Sequence, residues 1–210
     1  MPKCAIGGTA CESPIVADSA FLPPLLAALA SLRDWLGSTK VEGLVIGGVA
    51  ASVLGRPRVT KDVDLLILLP ENAWDAFLAA GKRHGFEPRV PDALALAREL
   101  RMLLLRHTPS GVDIDISVGS LLFEEEALAR GQHRKVGGVL LLLPTPEDLI
   151  IMKAVAHRDR DLSDIEGVLD TNPKLDKKRI RHWVGAFAES LEMPELLDDL
   201  ERLLAPRRRK

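Results

Sequence analysis

Leu25, Leu26, Leu29, Leu32 and Leu36 recur at the spacing of one helical face, behind Pro23-Pro24 and ahead of Gly37. That pattern predicts an amphipathic helix over 23–36, opened by proline and stopped by glycine. The apolar stretch 41–46 predicts a short buried strand. Gly47-Gly48 turns it into a helix reaching Leu54, closed by Gly55. Residues 63–69 are apolar without alternation, as in a strand covered on both faces. Asn72 is the expected cap of a helix to His84, and Pro91 starts a second, shorter one. Residues 101–107 and 112–118 flank Thr108-Pro109-Ser110-Gly111 and predict an antiparallel hairpin. A helix over 121–130 follows, then a hairpin that turns at Gly137-Gly138 between 135–136 and 139–143. Beyond Pro146 every segment has helical period: 146–157, 162–169, 176–191 and 194–204. Strands mixed with helices, followed by a helical C-terminal third, define an α+β protein. No repeat is visible. The expected boundaries are a loose arm over 1–20, a core over 21–145, a helical subdomain over 146–205 and a basic tail over 206–210.

Two strand-like runs carry acidic pairs, Asp62-Val63-Asp64 and Asp113-Ile114-Asp115. Aspartate is depleted in strands and costly to bury unpaired. Residues i and i+2 of a strand share a face, so Asp62 and Asp64 form a claw that a carboxylate from a neighbouring strand can complete. Clustered hard oxygen ligands on a rigid sheet suit Mg²⁺ (or Mn²⁺) held together with substrate phosphates. Asp113 and Asp115 share a face too, and their spacing alone does not choose between them. Gly47-Gly48 is read in two ways: as a turn needing positive φ, or as a place where phosphate approaches bare backbone N–H groups at a helix start. The claw has a plainer reading as well, a solvated strand end paired with Lys61 and Arg58.

Gly47-Gly48, the thirteen-residue spacer 49–61, Asp62-Val63-Asp64 and a later strand aspartate resemble the polymerase-beta-type nucleotidyltransferase superfamily. More narrowly, Arg58-Val59-Thr60-Lys61-Asp62-Val63-Asp64 resembles the AbiEii-like nucleotidyltransferases of bacterial type IV toxin–antitoxin systems. So does Pro146-Glu147-Asp148-Leu149-Ile150-Ile151-Met152-Lys153 together with His157-Arg158-Asp159-Arg160-Asp161-Leu162-Ser163-Asp164-Ile165. The likeness spans about 41–169. It implies a small mixed-sheet nucleotidyltransferase core with a helical subdomain. It also implies metal ligation and catalysis by Asp62, Asp64 and Asp115, the last chosen because it lies a short step before Phe123-Glu124. Gly47, Gly48, Thr60, Lys61 and Lys153 are the implied nucleotide-binding residues, with Lys153 a phosphate ligand; on the residue pattern alone Lys153 reads equally as a snorkelling surface lysine. The implied activity moves NMP from an NTP to a hydroxyl acceptor, an RNA 3′ end (tRNA) or a protein, with release of pyrophosphate. A cognate antitoxin or toxin is the implied partner. Two alternatives stay open: a catalytically inactive antitoxin of the same fold, and a small-molecule nucleotidyltransferase of the antibiotic-modifying type.

Composition narrows the rest. With 47% hydrophobic and 28% charged residues and a net charge of −2, the chain reads as a globular protein with no global attraction for nucleic acid. Arg207-Arg208-Arg209-Lys210 reads as a solvated tail. Cys4 and Cys11 lack partners at zinc-ligand spacing. With no signal peptide and no apolar run of membrane length, the expected location is cytoplasmic, away from membranes. Trp35, Trp74 and Trp183 read as core anchors, and 4% aromatic content argues against a base-stacking platform. The charged junction over 157–164 either lines the nucleotide site or is a salt-bridged cap.

Overall fold

A computed structural model describes Leu22 to Ala205. The expected arm, both cysteines and the basic tail lie outside the described residues. Seven strands form one mixed sheet: β1 (Gly43–Ile46), β2 (Asp62–Ile67), β3 (Phe86–Pro88), β4 (Met102–His107), β5 (Val112–Val118), β6 (Gln132–Val136) and β7 (Val139–Leu143), in the order β3-β4-β5-β2-β1-β7-β6. Nine α-helices are described: α1 (Leu22–Thr39), α2 (Gly47–Leu54), α3 (Trp74–Arg83), α4 (Ala93–Leu100), α5 (Leu122–Ala129), α6 (Pro146–Ala156), α7 (Asp159–Thr171), α8 (Lys177–Ser190) and α9 (Glu195–Leu204). The mixed sheet and flanking helices match the α+β expectation.

The decisive pairing is β2 with β5. They run parallel in register, Asp62 opposite Asp113, Val63 opposite Ile114 and Asp64 opposite Asp115. On one face of this pair Val63, Leu65, Ile114 and Ile116 are fully buried. Nearby, Trp35 of α1 stacks on Phe77 of α3 and Phe86 of β3 at 4.2 and 5.0 Å. The alternate positions place all four aspartates on the other face. The apolar core runs without a break from α1 through the sheet into α6, α7, α8 and α9.

Some boundaries differ from the sequence expectation. The first helix continues past Gly37 to Thr39, and Lys40 at φ +56 ends it in the left-handed conformation. Asn72 caps nothing, because it lies in a 3₁₀ turn over Glu71–Ala73 and α3 starts without a side-chain cap. The three-residue strand β3 was not expected; it is too short to show a period of two and exists through its pairing with β4. Other signals hold. Thr145 accepts a hydrogen bond from Asp148 N (3.2 Å) with Pro146 at the first helical position, and Gly137 and Gly138 both take positive φ in the β6–β7 turn.

Candidate active site

The site forms where the N-terminus of α2 meets the acidic face of β2 and β5. Gly47 sits at φ +59, and a Cβ there would lie 1.7 Å from Asp64 Oδ2. A Cβ on Gly48 would lie 2.4 Å from Thr60 Oγ1, and Gly48 N–H donates to Asp64 Oδ2 at 3.4 Å. Both glycines are therefore demanded by the close approach of β2 and the segment before it, and one of them also by its dihedral. Thr60 Oγ1 donates to Asp62 Oδ1 (3.0 Å) and orients that carboxylate. Lys61 is exposed and adjoins the claw in sequence.

The second acidic strand is held differently. Asp113 is clasped by Arg106 (2.7 Å) and Arg89 (3.2 Å), and the hydrogen bond from Arg106 keeps its carboxyl below the usual range. Among the described residues Asp115 is ion-paired with Arg89 alone. Burial pushes the Asp115 carboxyl up; Arg89 opposes this, and the charges of Asp64, Asp62 and Asp113 add to the rise. Asp64 is raised as well, by burial first and by Asp62 second, against the Gly48 N–H, Lys153 and Arg158. Carboxylates packed side by side with raised proton affinity are short of positive charge. Among the described residues no three acidic, histidine or cysteine side chains converge tightly enough to cage a metal ion as they stand. Asp115 points onto Arg89. The chemistry of the donor set, three carboxylates on one rigid face, nonetheless fits a hard divalent cation.

Lys153 is only 4% exposed, so it is not a snorkelling surface lysine. An ammonium buried that deeply needs counter-charge. It has two: Nζ lies 2.6 Å from Asp161 and 2.9 Å from Asp164. Arg58 forks onto Asp164 at 2.7 and 2.9 Å, and Arg158 pairs with Asp161 at 2.7 Å. Burial pushes Asp161 and Asp164 up, but hydrogen bonds from Lys153 with Arg158, and from Arg58 with Lys153, outweigh it and hold both carboxyls below their ordinary range. The charged junction is thus a buried ion network joining α6, α7 and the Arg58 loop behind the claw. Asp62 in turn helps raise Arg58 and Arg158, so network and claw share one field. Sequence reasoning missed Arg89. Lying between Pro88 and Pro91, it carries no local signal; β3 pairs with β4, where the Arg89 N–H donates to Leu104 O (2.9 Å), and from there its guanidinium reaches Asp113 and Asp115 on β5.

A helix opening on Gly47-Gly48 beside paired acidic strands is the arrangement the sequence resemblance implied. Residues 25–201 match a family described as nucleotidyl transferase of unknown function (DUF2204), so the chain belongs to that family and is a nucleotidyltransferase. No curated protein sequence matches it. In fold it is similar to an antigenic nucleotidyltransferase-like protein from Paracoccidioides brasiliensis, with 16% identity over 83% of this chain and 92% of that one, TM-score 0.51. It is also similar to the antibiotic-resistance factor ANT(2″)-Ia in solution, with 14% identity over 85% and 96%, TM-score 0.54. The same factor in complex with adenylyl-2″-tobramycin gives 14% identity over 80% and 99%, TM-score 0.53. No helix among the described residues is long and apolar enough to cross a membrane.

Proposed function

We propose that the chain transfers NMP from an NTP to a hydroxyl group, with Asp62, Asp64 and Asp115 holding magnesium. The observation that carries this reading is the register of Asp64 directly opposite Asp115, with Asp62 on the same face and the α2 N-terminus beside Asp64. The N-terminal N–H groups of α2 face the position a triphosphate takes beside Asp64. Bound magnesium supplies charge neutralisation for the phosphates and lowers the pKa of the attacking hydroxyl. The acceptor oxygen forms a bond to the α-phosphorus, the bond from that phosphorus to the β-bridging oxygen breaks, and pyrophosphate leaves. Asp115, opposite Asp64, would take the hydroxyl proton once turned from Arg89. Arg158 and Lys153 contribute positive potential at Asp64 from behind. Thr60 orients Asp62, and Lys61 adjoins the phosphate position.

Acceptors of three kinds fit this chemistry: an RNA 3′ end such as tRNA, a protein hydroxyl, and a small molecule of the kind antibiotic-modifying enzymes use. The likeness of 58–64 and 146–153 to type IV toxin-like enzymes supports a toxin–antitoxin or defence setting inside the cell. The presence of every carboxylate the reaction needs speaks against an inactive antitoxin. Incubation with Mg²⁺, each α-labelled NTP in turn, and total RNA, lysate protein or a hydroxyl-compound panel tests the reading. Label on one class of acceptor supports it; no transfer together with no NTP binding overturns it.

A further inference from the structure

A cavity of about 260 Å³ lies on the acidic face of the sheet, bounded by Leu66 and Ser117. These are the next residues on that face after Asp64 and Asp115, so the cavity floor begins about 7 Å along the strands from the reacting carboxylates, at about 3.3 Å of rise per residue. Its walls are Ile46, Phe123, Met152, Val155 and Phe187, with Leu121 at the rim. Phe123 and Phe187 meet edge to face at 5.6 Å, which fixes two aromatic walls. Leu121 is 49% exposed, an apolar lip to the cavity.

Polar groups are few. Glu124 is the one charged wall residue, and its Oε2 already accepts from Ser120 N (2.7 Å) and Leu121 N (2.9 Å). That leaves the Ser117 hydroxyl as the main uncommitted polar contact. Among the described residues no lysine or arginine lines the cavity to receive a phosphate backbone, and its single carboxylate, Glu124, is committed through Oε2 to the backbone at the start of α5. A nucleobase has an edge of donors and acceptors that such walls leave unmet, a costly arrangement. The volume suits one fused ring system.

We propose that this cavity seats an uncharged apolar ring of the acceptor, and that the acceptor is a small hydrophobic alcohol carrying its hydroxyl on an arm a few bonds long. The inference rests on the nucleotidyltransferase reading for its chemistry, but the occupancy of the cavity can be measured without nucleotide.

The full chain labelled with ¹³C-methyl methionine gives the readout, because Met152 lines the cavity while Met193 lies between α8 and α9. The probe is 2-(2-naphthyl)ethanol, compared with neomycin, with tRNA, and with a non-hydrolysable ATP analogue plus Mg²⁺. The expected result is a saturable shift of the Met152 methyl with the naphthyl alcohol alone and a still Met193 methyl. Ala156→Phe, at an exposed wall position, and Val155→Phe should weaken that binding at least about tenfold by occupying the space. With Mg²⁺ and labelled NTP, label should pass to the naphthyl alcohol. A Met152 shift produced by the ATP analogue instead, or equally by neomycin, overturns the proposal. So does label that goes only to tRNA or protein, or a Met152 methyl that responds to no probe. Loss of NTP binding by calorimetry would instead sink the underlying nucleotidyltransferase reading, and leaves the Met152 readout intact.

Discussion

Gly47 and Asp64 are in such close approach that a single added carbon on Gly47 would overlap the Asp64 carboxylate, at 1.7 Å from Oδ2. The helix start and the first acidic strand are thereby locked into one unit, with Gly48 N–H aimed at the same oxygen. Gly47→Ala should lose about 1–2 kcal/mol of stability from the left-handed backbone alone. It should also displace Asp64 and depress nucleotide transfer by more than the stability loss explains. Urea unfolding alongside turnover separates the two; a variant with wild-type turnover would show that Asp64 has room to move.

Asp64→Asn removes a charge and almost no volume. Transfer should fall by about a hundredfold or more, as when other preorganised electrostatic groups are removed. The folded state raises the Asp64 carboxyl, by burial and then Asp62, so ionisation opposes folding and the metal-free variant should melt higher than wild type. Thermal melts with and without Mg²⁺ check this: wild type gains from the ion and the variant does not. Equal gains in both proteins would remove Asp64 from the metal set.

Asp115 and Asp113 should behave unequally. Asp113 is committed to Arg106 and Arg89, whereas Asp115 has only Arg89 as an ion partner among the described residues and lies opposite Asp64. Asp115→Ala should cost transfer about a hundredfold, and Asp113→Ala under about tenfold. Arg89→Gln should free Asp115 and tighten Mn²⁺ binding, measured by electron paramagnetic resonance. Weaker Mn²⁺ binding would mean that Arg89 organises the site rather than competing for it.

Lys153→Ala should be strongly destabilising, because it leaves Asp161 and Asp164 buried with fewer partners. Breaking one member of a buried pair costs about 3–5 kcal/mol. Calorimetric melting reads this directly, and a variant as stable as wild type would show the network to be dispensable. NTP affinity of the surviving folded fraction reports separately on the electrostatic support of Asp64.

Acid should unfold the protein through that network. Asp161 and Asp164 are held below their unfolded values, so their contribution is present above about pH 4 and is lost as pH falls through their lower folded values. Asp64 and Asp115 have the opposite sign: their ionisation erodes metal-free stability as pH rises above about 4. Denaturant midpoints from pH 2 to 7 should show a steep acid limb that Asp164→Asn flattens. An unchanged limb would place the acid-labile carboxylates elsewhere.

What the sequence by itself determined is local. Leucine spacing sets α1, Thr145-Pro146 opens α6, and Gly137-Gly138 turns the last hairpin, because each depends on a period or a dihedral within a few residues. The period of two likewise puts Asp62 with Asp64, and Asp113 with Asp115, on common faces. Only the tertiary structure decided that those faces coincide, since parallel pairing joins β2 to β5 across 44 intervening residues (68–111) and no local pattern specifies the register. The same holds for Arg89, which strand pairing delivers, and for Lys153, whose apolar helix neighbours suited either a surface or a phosphate-binding role. Its burial follows from the packing of α6 against α7, which brings Asp161 and Asp164 within reach of its ammonium. A charge partner of that kind comes from a separate element and is set by the fold.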